Sequence, residues 1–482
     1  MRQFKLFPLI FIFALSLSSC DPVTGGSYLP PALDISLGEF WAQNFTNSQY
    51  YVVYADPLVA GQRCNIWAER GSGVSIATAQ SVADQYDTVI YPKMMATFGY
   101  TGNISVNNGQ YTVHDTMELA DLLGDGDGKL CILLLDIKDG YRGNNDPYTA
   151  GYFWSGNFLN IPYSNKCDMI YIDTNPGKPG STASNATLAH EMQHLMNFVS
   201  SYLFRTSQNR MTIMDTWIDE GLSTSAEWLY TGQYDINRYN WYSDTRSLIQ
   251  NGNNFFVWGN HSDNQYAILD DYASVYLFFQ WLRLQSGSTA IYDSIITSSN
   301  SDFNAVTNAA AAAMPGQGYD NWGTLLKTWL AASYINTRSG KYGYMDDSTL
   351  GNIKFKTTPV TSFNLAPGEG VFSLIKSPFN TPNTGNINYV GLTASGLNEI
   401  LPYTSGALLT VDTNSNNGGK TEKGIATGNA SVDIDSGGRS LLGSQLTGPF
   451  PISAADMLRK NGLGRQGDPG LPRLPVEILG HE

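Results

Sequence analysis

Residues 187–196 read TLAHEMQHLM and contain two histidines four positions apart, with a glutamate directly after the first. On an α-helix, residues four apart share one face, so we expect His190 and His194 to project side by side and to bind one metal ion. Glu191 then lies beside the first ligand, with its carboxylate facing a metal-bound water. Neutral imidazoles suit zinc, which takes three protein ligands and a water in hydrolytic sites. This stretch therefore predicts a catalytic helix over residues 184–200 that carries a zinc site.

A second segment offers a third ligand. Residues 217–228 read WIDEGLSTSAEW and begin 23 positions after His194. Helical spacing places Glu220, Thr224 and Glu227 along one face, which makes Glu220 a natural third ligand and leaves one position open for water. Glu227, two turns further on, is either a partner for a histidine N–H or a solvated glutamate. For the histidines themselves, the alternative is a helix in which hydrogen bonds alone satisfy them.

These two segments together resemble a known group of enzymes. HExxH followed by W-x-x-E-G resembles the glutamate-zincin metallopeptidases, and the text TLAHEMQHLMNF, between DMIYIDT and WIDEGLSTSAEWL, is most similar to the hyicolysin family of secreted bacterial peptidases. The resemblance runs from about residue 53 to residue 335. It implies one zinc ion per chain, held by His190, His194 and Glu220, with Glu191 as the catalytic glutamate. One departure is Asp219, where the related pattern W-x-N-E-G has asparagine, and we expect metal binding to survive it.

These roles predict a zinc-dependent endopeptidase that hydrolyses peptide bonds of extracellular proteins, with Glu191 removing a proton from zinc-bound water. The tetrahedral oxyanion also needs a hydrogen-bond donor from the protein. Tyr272 is the first candidate for this donor, and His261 and Tyr276 are alternatives. A runner-up function is a surface lipoprotein on the same scaffold that binds host or matrix protein without cutting it. An aminopeptidase would need acidic residues that grip a free N-terminus, and the sequence shows no such motif.

The amino-terminal residues predict secretion. Arg2 and Lys5 precede an uncharged apolar run over residues 6–17, and two serines then lead to Cys20. This is the pattern of a signal peptide over residues 1–19. Because Leu-Ser-Ser-Cys is similar to a bacterial lipobox, we expect Cys20 to be lipidated, the alternative being an ordinary signal peptide cut near the same place. Residues 20–49 then form a tether, and the lipid is the protein's one expected contact with the membrane of the bacterial cell envelope.

Composition and charge limit the partners. The chain of 482 residues is 42% hydrophobic and 12% aromatic, enough to bury a large core, and its net charge is −14. An acidic surface repels phosphate backbones, so we expect a protein or peptide substrate and no nucleic acid. With Cys20 acylated, three cysteines remain, at Cys64, Cys131 and Cys167, so at most one disulfide can form within the chain.

The order of elements favours an α+β fold, because strands come first and helices follow without regular alternation. Residues 129–137 (KLCILLLDI) predict a buried central strand, and residues 151–159 and 168–173 predict two more. Further helices are predicted over residues 74–97, 214–231, 268–286, 303–314 and 320–335.

The predicted domains follow from this order. A zincin-like metallopeptidase domain over residues 50–345 contains a mixed sheet, the catalytic helix and a helical subdomain. Short strand-like runs predict a β-rich domain over residues 346–450, and a Gly- and Pro-rich stretch predicts a disordered tail over residues 451–482. Residues 121–128 (DLLGDGDG) partly resemble a calcium loop, but a hydrophobic strand starts at once, so we expect an Asp-Gly turn and no calcium ion.

Overall fold

The central strand predicted from the apolar residues 129–137 lies in the interior of a six-stranded sheet. The structure, a computed structural model, describes residues 30, 33–99, 106–107, 110–111, 127–143, 148–158, 161–207, 210–242, 244, 247–253, 255–256, 258, 267–353, 357, 362–375, 387–398, 406–415 and 422–425. In this part of the chain the strands are β1 Glu39–Asn44, β2 Gln49–Ala60, β3 Cys64–Glu69, β4 Val106–Asn107, β5 Gln110–Tyr111, β6 Leu130–Leu135, β7 Gly151–Phe153, β8 Met169–Asp173, β9 Thr206–Ser207, β10 Arg210–Met211, β11 Ser362–Leu365, β12 Gly370–Ile375, β13 Ile387–Thr393, β14 Gly396–Asn398, β15 Gly406–Asp412 and β16 Glu422–Ile425.

The helices follow the strands of the main sheet, with two exceptions. They are α1 Ile76–Gln85, α2 Tyr91–Phe98, α3 Thr182–Phe204, α4 Thr216–Thr231, α5 Ile236–Trp241, α6 Ala267–Ser286, α7 Ala290–Ile296, α8 Phe303–Ala313 and α9 Trp322–Ile335. A π-helical segment, Tyr86–Ile90, joins α1 to α2, so the helix predicted over residues 74–97 is close to continuous. Helix α3, which the sequence predicts as the catalytic helix, begins two residues before the predicted position, because the Ser181 side chain accepts a hydrogen bond from the backbone N–H of Ser184 and caps the helix there.

The main sheet is mixed, which confirms the α+β class. Its strand order is β1-β2-β3-β6-β8-β7. Strands β3, β6 and β8 are parallel, whereas β1 with β2, β2 with β3, and β7 with β8 pair antiparallel. The short strand β7 therefore forms one edge of the sheet, next to the strand that leads into α3.

Strand β6 is apolar at every position because both faces of the sheet are covered. Leu130, Ile132 and Leu134 contribute to the larger core, which the sheet shares with the helices. The alternate residues Cys131, Leu133 and Leu135 contribute to a smaller core on the opposite face. The alternation of side chains along a strand thus distributes one continuous apolar run between two cores.

The sheet begins earlier than the sequence pattern indicates. Strand β1 lies inside the segment 20–49 that was expected to be a tether, and it pairs with β2 along its whole length. Phe40 and Ala42 of this strand are buried in the smaller core. Residues 39–49 are therefore part of the fold, because burial of these side chains outweighs the weak strand signal of a stretch that follows Pro- and Gly-rich sequence.

The region after α9 contains strands, as the sequence predicts. Strands β12, β15, β13 and β14 form a four-stranded sheet in that order. Phe372 of β12 stacks on Tyr334 of α9, with ring centroids 5.0 Å apart, and Leu409 and Val411 of β15 belong to the larger core. The described residues from Leu33 onward form one compact unit. The domain boundary at residue 346 stays a prediction, as does the tail over residues 451–482, which lies outside the described residues.

Two properties of the described residues bear on the compartment. Cys64, Cys131 and Cys167 are all buried, and no disulfide joins any two of these three described cysteines. No described helix has the length and apolar character that crossing a membrane requires. The signal peptide and Cys20 lie outside the described residues.

Candidate metal centre

Helices α3 and α4 pack against each other, and two residues of the W-x-x-E-G motif explain how α4 is held. Trp217 is buried among aromatic rings, including those of Phe255, Phe278 and Trp322. Gly221 lies so close to the ring of Phe279 on α6 that a methyl group at this position would overlap it. The tryptophan thus anchors the helix, and the glycine permits a close approach of α4 to α6.

Three side chains converge between α3 and α4. His190, His194 and Glu220 each direct one donor atom to a common region, and these atoms lie within 4.8 Å of one another. Glu220 Oε2 is 3.3 Å from His190 Nε2 and 3.8 Å from His194 Nε2. Ligand atoms of a tetrahedral zinc ion, each at 2.0–2.1 Å, lie about 3.4 Å apart. The two separations from Glu220 Oε2 are therefore close to those that a zinc ion needs.

The chemistry of Glu220 also fits a metal. Its side chain is buried, and Oε2 accepts no hydrogen bond from any residue that the structure describes. A buried carboxylate oxygen without a donor is costly, and a bound cation removes that cost. Two imidazole nitrogens and one carboxylate form a ligand set typical of zinc hydrolases, so the residues present fit zinc.

His190 has a hydrogen-bond partner behind the cluster. Its Nδ1 lies 2.7 Å from Glu227 Oε1, and the same oxygen lies 2.8 Å from Arg238 Nη2. Burial alone would raise the pKa of Glu227, but Arg238 and His190 outweigh burial and hold that pKa below its usual value. Glu227 is thus an ionised acceptor. The sequence left open whether this residue would be the partner of a histidine or a solvated glutamate, and the structure has it beside His190.

His194 has its own carboxylate. Asp219 Oδ2 lies 2.9 Å from His194 Nδ1, and Asp219 Oδ1 accepts a hydrogen bond of 2.6 Å from the amide of Asn197. The hydroxyl of Ser223 lies 3.1 Å from the same Nδ1. Asp219, which departs from the related sequence pattern, therefore contacts the second histidine directly.

The carboxylates change the proton affinity of both rings. Burial lowers the pKa of His190, but Glu220 and Glu227 outweigh it and raise that pKa to about 10. Burial likewise lowers the pKa of His194, and Asp219 and Glu220 raise it to about 9. A metal ion that binds here must displace protons, so its affinity falls as the pH is lowered.

Glu191 is buried beside the cluster. Burial raises the pKa of its carboxyl, although the neighbouring His190 and His194 act in the opposite direction. The backbone N–H of Phe153, on the edge strand β7, donates a hydrogen bond to this carboxyl. Glu191 is therefore positioned by the sheet as well as by its own helix.

The cluster borders an open cleft of about 630 Å³. His190 and Glu191 line the cleft together with Tyr148, Gly151, Trp228, Tyr234, Tyr272 and Tyr276. The ring of Tyr272 lies under the Arg238 guanidinium, 4.9 Å from its centroid, and the hydroxyl of Tyr276 accepts a hydrogen bond from the backbone N–H of Asp235. His261, the other candidate for the oxyanion donor, lies outside the described residues.

The segment that partly resembles a calcium loop is described only at its end. Asp127 accepts hydrogen bonds from the Asn65 side chain, at 2.6 Å, and from the Lys129 backbone, at 2.7 Å. These are the contacts of a turn before a strand. Residues 121–126 lie outside the described part of the chain.

Sequence reasoning missed two residues of this centre. Asn197 follows His194 by three positions on the same helix and lies within the stretch TLAHEMQHLMNF, but neither its residue type nor its spacing identified it as part of the site. Arg238 lies on the short helix α5, far from both motifs in sequence, and carries no signal at all. Both are found only from contacts that the fold creates.

The fold and this centre define a class of protein: an α+β chain with two imidazoles and a carboxylate on adjacent helices, the arrangement of zinc-dependent hydrolases. No protein-family model matches the sequence. The chain is similar to the neutral metalloprotease ShpI of Staphylococcus hyicus, with 26% identity over 340 residues, which cover 68% of this chain and 70% of that protein. This similarity confirms the resemblance to hyicolysin-type metallopeptidases that the motifs indicated.

Proposed function

We propose that this protein is a zinc-dependent endopeptidase with a zincin-like catalytic domain. The observation that carries the proposal is the convergence of His190 Nε2, His194 Nε2 and the unpartnered Glu220 Oε2, next to buried Glu191 and an open cleft. The similarity to a neutral metalloprotease supports it independently.

In this proposal the three side chains hold the metal. A zinc ion held there would supply Lewis-acid chemistry to the scissile carbonyl and to the attacking water. Glu191 accepts the proton of the attacking water and delivers it to the leaving amide nitrogen. Burial, which raises the pKa of the Glu191 carboxyl, helps this residue to retain the proton between the two transfers.

The cleft supplies the other groups that the reaction needs. Tyr272 lines the cleft, and we propose its hydroxyl as the donor to the oxyanion. Glu227 orients His190 through Nδ1. The cleft is open to solvent, which suits an extended segment of a protein chain as substrate.

The proposed location follows from the amino-terminal sequence. Removal of residues 1–19 and lipidation of Cys20 would attach the enzyme to the outside of a bacterial membrane. Its substrates would then be extracellular proteins. We further propose that residues 50–345 form the catalytic domain and residues 346–450 a β-rich module after it.

The decisive experiment uses the mature chain without lipid, starting at Asp21. We would measure zinc per chain and cleavage of an unfolded protein, for the wild type and for Glu191→Gln. We expect one zinc in both proteins and a loss of roughly 10²–10⁴-fold in kcat for the variant. Equal cleavage by both would exclude Glu191 as the proton acceptor. Bound zinc without cleavage by either would favour a surface protein that binds host or matrix protein.

A further inference from the structure

We propose that Asn197 is a positioning residue that fixes the tautomer of His194, acting through Asp219, with the buried Arg205 setting its direction. The inference rests on the proposed function, since it concerns how one zinc ligand is oriented. It follows from the order of hydrogen-bond donors and acceptors along a series of four side chains, which are Arg205, Asn197, Asp219 and His194.

The series starts at Arg205, which is buried at the end of α3. Its Nη2 lies 2.8 Å from Asn197 Oδ1 and 2.9 Å from Ser201 Oγ, and its Nη1 donates to the backbone carbonyl of Ile296, at 2.7 Å. A guanidinium group has donors and no acceptor. The atom of the Asn197 amide that faces Arg205 must therefore be its oxygen.

The orientation of Asn197 determines what Asp219 does. With the amide oxygen held by Arg205, the Asn197 Nδ2 group points away and donates to Asp219 Oδ1, at 2.6 Å. Oδ1 must therefore be an acceptor, and it carries no proton. The donors of Arg205 thus fix the orientation of the Asn197 amide, and that orientation makes Asp219 Oδ1 an acceptor.

The carboxylate in turn determines the state of His194. Asp219 Oδ2 lies 2.9 Å from His194 Nδ1, and because both oxygens of a carboxylate are acceptors, it holds the proton of the neutral ring on Nδ1. The Ser223 hydroxyl, also near Nδ1, directs its hydrogen to Gln193 Oε1 and acts there as a second acceptor. Nε2 is then the nitrogen with a free lone pair, and it is the one that faces Glu220.

The proposal depends on aspartate, rather than asparagine, at position 219. An amide at that position can turn either its oxygen or its NH2 group to His194, whereas a carboxylate presents acceptors only. A shorter series of hydrogen bonds leads to His190. Arg238 donates to Glu227 Oε1, and the same oxygen accepts from His190 Nδ1. Each histidine is thus held by hydrogen bonds that begin at an arginine.

A double-mutant cycle tests the inference. Asn197→Asp keeps the acceptor for Arg205 but removes the donor to Asp219. In Asp219→Asn, the Asn197 Nδ2 group still donates and takes the new amide oxygen as its acceptor. The NH2 group of the new asparagine then faces His194. We expect each single variant to raise the zinc Kd by roughly 10–100-fold, the usual cost of losing such a partner. The double variant Asn197→Asp/Asp219→Asn restores a donor at every junction, and we expect it to bind zinc more tightly than either single variant.

Zinc affinity would be measured by competition with a chromophoric chelator, and ¹⁵N NMR of histidine-labelled, zinc-loaded protein would report whether Nδ1 of His194 carries the proton. The matched control is Asn253→Asp, a buried asparagine bonded to the hydroxyls of Tyr242 and Ser274, for which we expect an unchanged zinc Kd. If Asn197→Asp does not fold, Asp219→Asn alone remains a test.

The outcomes separate this inference from the proposed function. Wild-type zinc affinity in either single variant, or a double variant that binds zinc no more tightly than the better single variant, would overturn the inference alone. A wild-type protein that neither binds zinc nor cleaves protein would overturn the proposed function, on which the inference depends.

Discussion

Four carboxylates surround the two histidines, and each has different neighbours. Glu220 Oε2 faces both Nε2 atoms, Glu227 and Asp219 each contact one Nδ1, and Glu191 is buried beside the cleft. The same chemical group can therefore bind a cation, orient an imidazole or carry a proton, according to what lies next to it. These differences in surroundings allow single-residue changes to separate the roles.

Replacement of Glu227 by glutamine tests its orienting role. The amide can present either a donor or an acceptor to His190 Nδ1, and it removes one of the two carboxylates beside Arg238, leaving Asp235. We expect the zinc Kd to rise by roughly 10–100-fold while the chain stays folded. Glu39→Gln, on the opposite edge strand of the sheet, is the control. A Kd equal to that of the wild type would mean that Glu227 does not orient the ligand.

At this scale, helical spacing predicts which residues converge. His190 and His194 are one turn apart on α3, so their common face follows from the sequence alone. The convergence of Glu220 with them depends on the packing of α4 against α3, which the spacing of residues on one helix cannot specify. The contacts of Asn197 and Arg205 depend on groups that are brought together from the end of α3, from α4 and, as a backbone carbonyl, from the end of α7.

Among the elements, α4 is the one on which the site depends most. The sequence pattern assigns it one apolar face and one polar face, yet both are covered, and even Thr224 and Ser225 are fully buried. Helix α3 packs on one side and α6 on another. The position of Glu220 is therefore fixed by the packing of a whole helix.

The contact at Gly221 leads to a prediction for this helix. Gly221→Ala places a methyl group against the ring of Phe279, so α4 and α6 must move apart. We expect a loss of about 1–3 kcal/mol in the free energy of unfolding, despite the better helix propensity of alanine. Urea unfolding measures it. Gly351→Ala, whose added methyl group meets no atom closer than 3.8 Å, is the control, and equal stability of the two variants would contradict the prediction.

Helices and strands with a clear sequence pattern are predicted better than those without one. Strand β6 and helix α3 are long runs with clear patterns, and the structure has them close to the predicted residues. Strand β1 pairs mainly through its backbone with β2, and its six residues carry little pattern of their own. Helices α5 and α7, with 6 and 7 residues, have too few turns for an apolar period to show.

For the whole molecule, metal binding and folding are linked. The cluster joins α3 to α4, so zinc that binds only the folded chain stabilises it by about 4 kcal/mol at 1,000 times its Kd. We expect a strong chelator to lower the Tm of the wild type and of Glu191→Gln alike. Glu220→Ala should show no such shift and no bound zinc. Full zinc occupancy in that variant would mean that another residue is the third ligand.

The three thiols report on the integrity of the whole fold. Cys64, Cys131 and Cys167 are buried and form no disulfide with one another, and burial raises the pKa of Cys64 well above its usual value. Because thiolates are the reactive form, we expect no reaction of the native mature chain, starting at Asp21, with a thiol reagent. After unfolding in guanidinium, three thiols should react per chain. A count of one would instead indicate a disulfide.

The unbroken apolar run of β6 raises the question of how the strand finds its register. Within Leu130–Leu135, a slip of one residue exchanges the side chains of the two cores at little hydrophobic cost, unlike a slip in an alternating strand. Polar contacts beyond both ends supply the missing information. Asp127, just before the strand, is bonded to Asn65 of β3, and the backbone just after it donates to Glu69 and Asp173, at the ends of the two flanking strands. Carboxylates outside the strand thus align the residues within it, and one of them, Asp173, is the last residue of β8, the strand that precedes α3.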